Sequence, residues 1–229
     1  MKKGKLFVVA TPIGNLEDIT FRAVDILKNV PFVLAEDTRE SKKLFDRYGI
    51  ETMLISYRDQ NHERMIGKIY EKLNMGLDLA LISDAGTPLI SDPGYKLVRE
   101  LREEGYEVVS IPGASAVTAA LSVSGLPTDR FVFLGFLPKS ESKRKKLIEQ
   151  YKELENTIVI YESPHRLSKL LKLMLEVYGD IRVFLAKDIS KMREESFSGS
   201  ISEVISEFEL RNFDENPHGE FVCMFSKEV

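Results

Sequence analysis

The residues of this chain best suited to chemistry stand directly after short apolar runs. Glu36-Asp37-Thr38-Arg39 follows residues 32–35, and Ser83-Asp84-Ala85-Gly86-Thr87-Pro88 follows residues 79–82. Ser91-Asp92-Pro93-Gly94 comes soon after, and Pro112-Gly113 follows residues 108–111. Carboxylates so placed accept protons or hydrogen bonds, and glycines let backbone N–H and C=O groups approach a ligand closely. Other chemistries lose support. The loop Thr11-Pro12-Ile13-Gly14-Asn15 carries neither the G-x-G-x-x-G of dinucleotide sites nor the G-x-x-x-x-G-K-[ST] of P-loops, and G-x-S-x-G is absent. His62, His165 and His218 are too dispersed to suggest a metal cluster. Cys223 is the only cysteine, so it permits neither an intrachain disulfide nor a cysteine-rich zinc site and reads as a small core residue. No metal is expected.

The elements that position these residues follow an α/β grammar. Runs rich in Val, Ile and Phe alternate with segments of helical period, the pattern of α/β architecture with a largely parallel sheet. Residues 6–10 read as a buried strand and residues 11–16 as a loop, after which Ile19, Ala23, Ile26, Leu27 and Val30 share one helical face. Residues 32–35, 79–82 and 108–111 are further strands, and the small side chains of residues 114–124 suit close helix packing. Gly125-Leu126-Pro127-Thr128 is the expected boundary, giving an N-terminal α/β domain of residues 1–125 and a C-terminal one of residues 126–229. In the second half, residues 131–136, 157–161, 181–186 and 220–225 read as strands. Ser163 followed by Pro164 marks a helix start, and Ile201, Val204, Ile205 and Phe208 suit an amphipathic helix.

At 229 residues the chain has room for two cores, and 43% hydrophobic with 30% charged residues excludes a mostly disordered polymer. No apolar run approaches the roughly 20 residues of a membrane helix, and the opening segment has no cleavage signal, so a cytoplasmic protein is expected. A net charge of −4 argues against holding nucleic acid by bulk charge. A local site is available instead in Lys139, Lys143, Arg144, Lys145 and Lys146, five cations within eight residues beside Glu141. A solvated helix start explains that run equally well.

Five strings carry a family resemblance: residues 10–20 (ATPIGNLEDIT), 35–39 (AEDTR), 83–94 (SDAGTPLISDPG), 112–116 (PGASA) and 161–167 (YESPHRL). With these motifs the chain, from about residue 5 to its end, resembles the 16S rRNA ribose methyltransferases of the tetrapyrrole methylase superfamily. The resemblance implies two α/β domains with a cleft between them for S-adenosylmethionine, and 2′-O-methylation of a cytidine in the decoding region of 16S rRNA. It further implies a homodimer acting on 16S rRNA or the small ribosomal subunit.

Carried over motif by motif, the resemblance implies cofactor contacts at Ile13, Asp84, Thr87, Ser115 and Ala116, and in the second half at Tyr161, Ala186, Gly219 and Glu220. At Lys187-Asp188 the family pattern more often has Arg-Glu, so Lys187 is assigned no role. Glu36, Asp37 and Arg39 are the candidates for organising the ribose and its phosphate. Arg58, Lys139, Lys143, Arg144, His165 and Arg166 are the RNA-binding candidates, since RNA needs cations for phosphates and stacking surfaces for unpaired bases. Tyr57 either offers such a surface or is buried at a strand end, with burial preferred. Asp84 either meets the cofactor or caps its own loop as an Asx-turn. Alternatives of other kinds are a methyltransferase of the same fold acting on a corrin or porphyrin precursor, or making diphthine, and a non-catalytic RNA-binding module.

Overall fold

Strand residues in the first half alternate between two apolar layers, as the two-residue period of an extended chain dictates. Val33, Ala35, Ala80 and Ile82 pack with Ala23, Leu27, Leu44 and Phe45, while Leu34, Leu79 and Leu81 pack with Ile69, Leu73, Leu97 and Leu101. Each fully buried Leu or Ile contributes about 1.5–3 kcal/mol by leaving water. The structure is a computed structural model describing residues 2–227, and it divides into two compact units, residues 1–115 and 116–229.

In the first unit β1 (Lys5–Val9), β2 (Phe32–Ala35), β3 (Met53–Ser56), β4 (Leu79–Ile82) and β5 (Glu107–Ile111) form a wholly parallel sheet in the order β3-β2-β4-β1-β5. The helices are α1 (Phe21–Asn29), α2 (Thr38–Tyr48), α3 (His62–Asn74) and α4 (Tyr95–Glu103). Crossovers between parallel strands are right-handed, so the direction of travel across the sheet selects the face. The steps from β1 to β3 use α1 and α2 on one face, and the return from β3 to β5 uses α3 and α4 on the other. Thr20 and Asp37 cap α1 and α2, each side chain accepting a first-turn N–H.

The second unit begins with α5 (Ala116–Val123) and continues through β6 (Phe131–Phe136), α6 (Glu141–Gln150), β7 (Thr157–Glu162) and α7 (Pro164–Tyr178). It ends with β8 (Arg182–Lys187), β9 (Glu195–Ser200), α8 (Ile201–Leu210) and β10 (Phe221–Ser226). The strand order is β6-β7-β10-β8-β9. A largely parallel sheet was expected here as well, but only β6 and β7 pair in parallel. β10 runs antiparallel between β7 and β8, and β9 is antiparallel to β8. One face packs on α7 and α8 through Ile160, Leu185 and Cys223; the other packs on α5 through Val159, Phe184, Val222 and Met224.

Because Val117, Ala120 and Leu121 of α5 pack on the second sheet, the units part between Ser115 and Ala116, ahead of the boundary expected at residues 125 and 126. The sequence reading has no counterpart for the edge strand β9 and only a strand end at Tyr57 for β3. β3 is four residues long and β9 holds Phe197 as its one large apolar side chain, so pairing rather than composition defines them. Among the described residues no helix is long and apolar enough to cross a membrane.

Candidate active site

β1 and β4 are neighbours in the sheet, yet the chain leaves them toward opposite faces, which opens a crevice at their carboxyl ends. Thr11 spans it: its N–H donates to Gly86 O at 2.9 Å, and its carbonyl accepts the Gly86 N–H at 3.0 Å. Gly86 is left-handed at φ +78, and a Cβ there would lie 3.2 Å from Ile13 Cγ2. Thr87 Oγ1 donates to Ala114 O at 3.1 Å, tying the β4 loop to the β5 loop. Gly113 permits that approach, since a Cβ on it would sit 2.9 Å from Ala10 Cβ. A cleft of about 200 Å³ lies beside these loops, lined among others by Ile13, Leu16, Ser41 and Asp84.

Four acidic residues around the crevice have different environments. Asp84 Oδ1 accepts the Asp37 N–H at 2.9 Å. Asp37 is committed to structure: Oδ1 accepts from Arg39 N at 2.9 Å and Nε at 3.0 Å, and Oδ2 accepts from Nη2 at 2.6 Å. Those bonds hold its carboxyl well below the usual carboxylate range. Glu36 goes the other way. Burial raises its pKa and the charges of Asp84 and Asp92 add to the effect, against Arg58 and a hydrogen bond from the Asp84 backbone. Burial likewise pushes Asp92 up to about 6, opposed by the Ser83 hydroxyl and assisted by Asp84. Glu36 is therefore a better proton acceptor near neutrality than an ordinary carboxylate, and Asp37 a worse one.

Arg58, just after β3, donates through Nε to Glu36 O at 3.0 Å and lies 3.7 Å from Asp37 Oδ2 through Nη2. Tyr57 is buried, with its hydroxyl 2.9 Å from His62 Nδ1, while His62 Nε2 lies 2.7 Å from Glu100 Oε2. It has no face for a base, which is the preferred reading of that residue.

In the second unit the ends of β7 and β8 meet the start of β10. Tyr161 and Ala186 both pair with Val222, from either side, and belong to the same apolar layer. Gly219 and Glu220 lead into β10, where the Glu220 carbonyl accepts the Asp188 N–H at 2.9 Å and its carboxylate pairs with Lys191 at 2.7 Å. Lys187 points to the opposite layer. It is 6% exposed, 3.2 Å from His218 Nε2 and 3.4 Å from Glu195 Oε2, so it belongs to a polar cluster that reaches the surface through those partners rather than to the Tyr161 face.

Residues 5–205 match the family model for tetrapyrrole (corrin/porphyrin) methylases. The chain belongs to the tetrapyrrole methylase family. Among its relatives is the Ribosomal RNA small subunit methyltransferase I of Thermotoga maritima, 45% identical over 223 residues, 97% of this chain and 98% of that protein. The protein of the same name from Bacillus subtilis is 48% identical over 202 residues, 88% of this chain and 69% of its own. Solved structures of the same fold include a diphthine synthase, at 13% identity and TM-score 0.76, covering 99% of this chain and 91% of that one. A cobalt precorrin-4 methyltransferase follows at 16% identity and TM-score 0.68, covering 96% and 94%. This tetrapyrrole methylase is an S-adenosylmethionine-dependent methyltransferase with two α/β units.

Against this background the sequence-derived residues separate into groups. Glu36, Asp37, Arg39, Arg58 and Asp84 are interlinked at the carboxyl ends of β2, β3 and β4, with Ile13 and Thr87 on the adjoining loops. Ser115 and Ala116 close the β5 loop and open α5. Asp84 bonds across to Asp37, and that cross-link is what its carboxylate does here. Lys139, Lys143 and His165 are exposed. Arg144 is placed differently from a phosphate ligand: it is 5% exposed and donates to Pro138 O and Lys139 O. Arg166 is likewise turned inward, to Glu162 and Leu137 O. Asp92 joins the crevice group too, and no sequence signal marks its role there, because its partial burial beside Ser83 arises only once the β4 loop is folded.

Proposed function

We propose that this chain transfers the methyl group of S-adenosylmethionine to the 2′-oxygen of a cytidine ribose in the decoding region of 16S rRNA, as a cytoplasmic homodimer. The observation that carries the reading is the end-to-end match to the Thermotoga maritima protein, whose name specifies small-subunit rRNA. The residues of the first unit suit the cofactor. Gly86 and Gly113 keep side chains out of the crevice, Ile13 and Leu16 give an apolar wall, and Asp84 gives a negative charge. Ile13, Asp84, Thr87 and Ser115 are the contacts we assign on this unit. On the second unit the family resemblance supports Ala116, Tyr161, Ala186, Gly219 and Glu220 as cofactor contacts.

When bound, the cofactor supplies a methyl group on a positively charged sulfur that leaves as a neutral thioether. The chain's task is to hold the ribose hydroxyl in line and to receive its proton. We assign the proton to a Glu36 carboxylate oxygen, because burial raises the pKa of that group while Arg39 lowers that of the adjacent Asp37. Arg58, fixed to the Glu36 carbonyl, and the exposed Arg39 supply charge for the adjoining phosphate. Asp37 positions Arg39.

The test is methyl transfer from labelled S-adenosylmethionine to naked 16S rRNA and to assembled 30S subunits, with mapping of the labelled atom. Label on a cytidine 2′-oxygen is the expected result. Cofactor binding without RNA labelling would move the substrate to a corrin or porphyrin precursor or a translation factor.

A further inference from the structure

Two arginines hold one turn of the second unit. Arg166 Nη2 donates to Leu137 O at 2.8 Å, Arg144 Nε to Pro138 O at 3.3 Å, and Arg144 Nη2 to Lys139 O at 3.2 Å. Three consecutive carbonyls after β6 are thus taken up by two guanidinium groups. Arg166 is fixed in turn by Glu162, whose side chain is 0% exposed and accepts Arg166 Nη2 at 2.9 Å and Ser163 N–H at 2.8 Å. A turn at the surface can satisfy its carbonyls with water, and burying a carboxylate costs free energy unless it is paired. Such a clamp is explained by a need to fix what the turn presents.

The turn presents an aromatic ring and a set of cations. Phe136 is 61% exposed, and its ring centroid lies 5.5 Å from that of Tyr161. Lys139 is exposed three residues on. Lys143 and Lys146, spaced to share one side of α6, are also exposed and have no ion-pair partner among the described residues, whereas Lys145 is paired with Glu176. Unpaired bases stack on exposed rings while neighbouring phosphates meet cations. A symmetric contact with a second copy would bring the same lysines together, a like-charge arrangement that disfavours self-association here.

We propose that Phe136 and Lys139, held by Arg144 and Arg166, form a docking point for an unpaired nucleotide of the RNA substrate, with Phe136 stacking on the base and Lys139, Lys143 and Lys146 meeting the flanking phosphates. This rests on the rRNA reading above. Arg144 and Arg166 are positioning residues in it, and neither touches the RNA.

Filter binding of labelled 16S rRNA at several salt concentrations, with calorimetry of S-adenosylmethionine binding and light scattering for oligomeric state, tests the proposal. Phe136→Ala is expected to weaken RNA binding by about ten-fold and Phe136→Trp to restore it, and the cofactor titration reads separately any loosening of Tyr161, against which Phe136 packs. Lys139→Glu lowers the slope of log affinity against log salt by about one or more. Arg144→Met raises KM for RNA and leaves KM for the cofactor alone, and Arg144→Lys recovers part of the loss. Wild-type RNA affinity in Phe136→Ala overturns the proposal while the rRNA reading stands, and so does a changed oligomeric state in that variant, which would assign the ring to a subunit contact. Failure of the unmodified protein to bind 16S rRNA while it binds cofactor overturns the rRNA reading and the proposal with it.

Discussion

The Asp84 carboxylate accepts the Asp37 backbone N–H at 2.9 Å, and the Glu36 carboxylate accepts a backbone hydrogen bond from Asp84, so the ends of β2 and β4 are fastened in both directions. Neighbouring parallel strands need no such cross-link for their own ladder. It serves to hold Glu36, Asp37 and Asp84 in one geometry.

Asp84 can be dissected by two substitutions. Asp84→Asn keeps an oxygen for the Asp37 N–H but removes the charge, so cofactor affinity falls about ten-fold with little change in Tm. Asp84→Ala also removes the acceptor and costs on the order of 1 kcal/mol of stability. Calorimetric titration with S-adenosylmethionine beside thermal melts separates the two effects. Unchanged cofactor binding in both variants would remove Asp84 from the ligand site.

Glu36 and Asp37 are expected to respond differently although they are adjacent. Glu36→Gln should lower single-turnover methyl transfer by about 100-fold, within the usual range for general-base loss, at nearly constant cofactor affinity. The raised Glu36 pKa moves the acid limb of the rate profile upward from where an ordinary glutamate would put it. Asp37→Ala removes the α2 cap and should lower the Tm. A Glu36→Gln enzyme of wild-type rate would end its assignment as proton acceptor.

Gly113 and Ala10 form a pair suited to a double-mutant cycle. Gly113→Ala drives a methyl group to 2.9 Å from Ala10 Cβ, an overpacking that costs about 1–3 kcal/mol. Ala10→Gly in the same chain should return part of that loss, since it deletes the atom that is met. Strictly additive unfolding free energies from urea titration would show that the two positions do not touch.

Asp92 gives a pH signature in stability. Its folded pKa, about 6, lies above the ordinary 3.8, so between those values the folded state binds more protons than the unfolded one. Stability then falls as pH rises through that window, and Glu36 adds a change of the same sign. Asp92→Asn should flatten the dependence of the urea midpoint between pH 4 and pH 6. Equal slopes in the two proteins would assign the effect to other groups.

Much of this was open to inspection in the residue string. Leu79–Ile82 has the bounds that its apolar run suggests, because a strand buried on both faces must be apolar throughout, and loop chemistry must then follow at the ends of such strands. The family motifs lie in just those loops. By contrast β3 and β9 are edge strands that composition does not mark, and a lone sequence contains nothing to say that β10 returns antiparallel between β7 and β8.

The sequence by itself determined the α/β grammar, the family and the loops that hold the candidate site, since each depends on local order along the chain. Only the tertiary structure decided which charges are available. Arg144 stands in a run of cations and turns inward to two carbonyls, while Glu36 and Asp37, side by side in the chain, acquire opposite acidities. Burial and partner distance set those outcomes: Glu36 answers to Asp84, Asp92 and Arg58 from elsewhere in the chain, while Asp37 and Arg144 answer to near neighbours that only the folded backbone turns toward them.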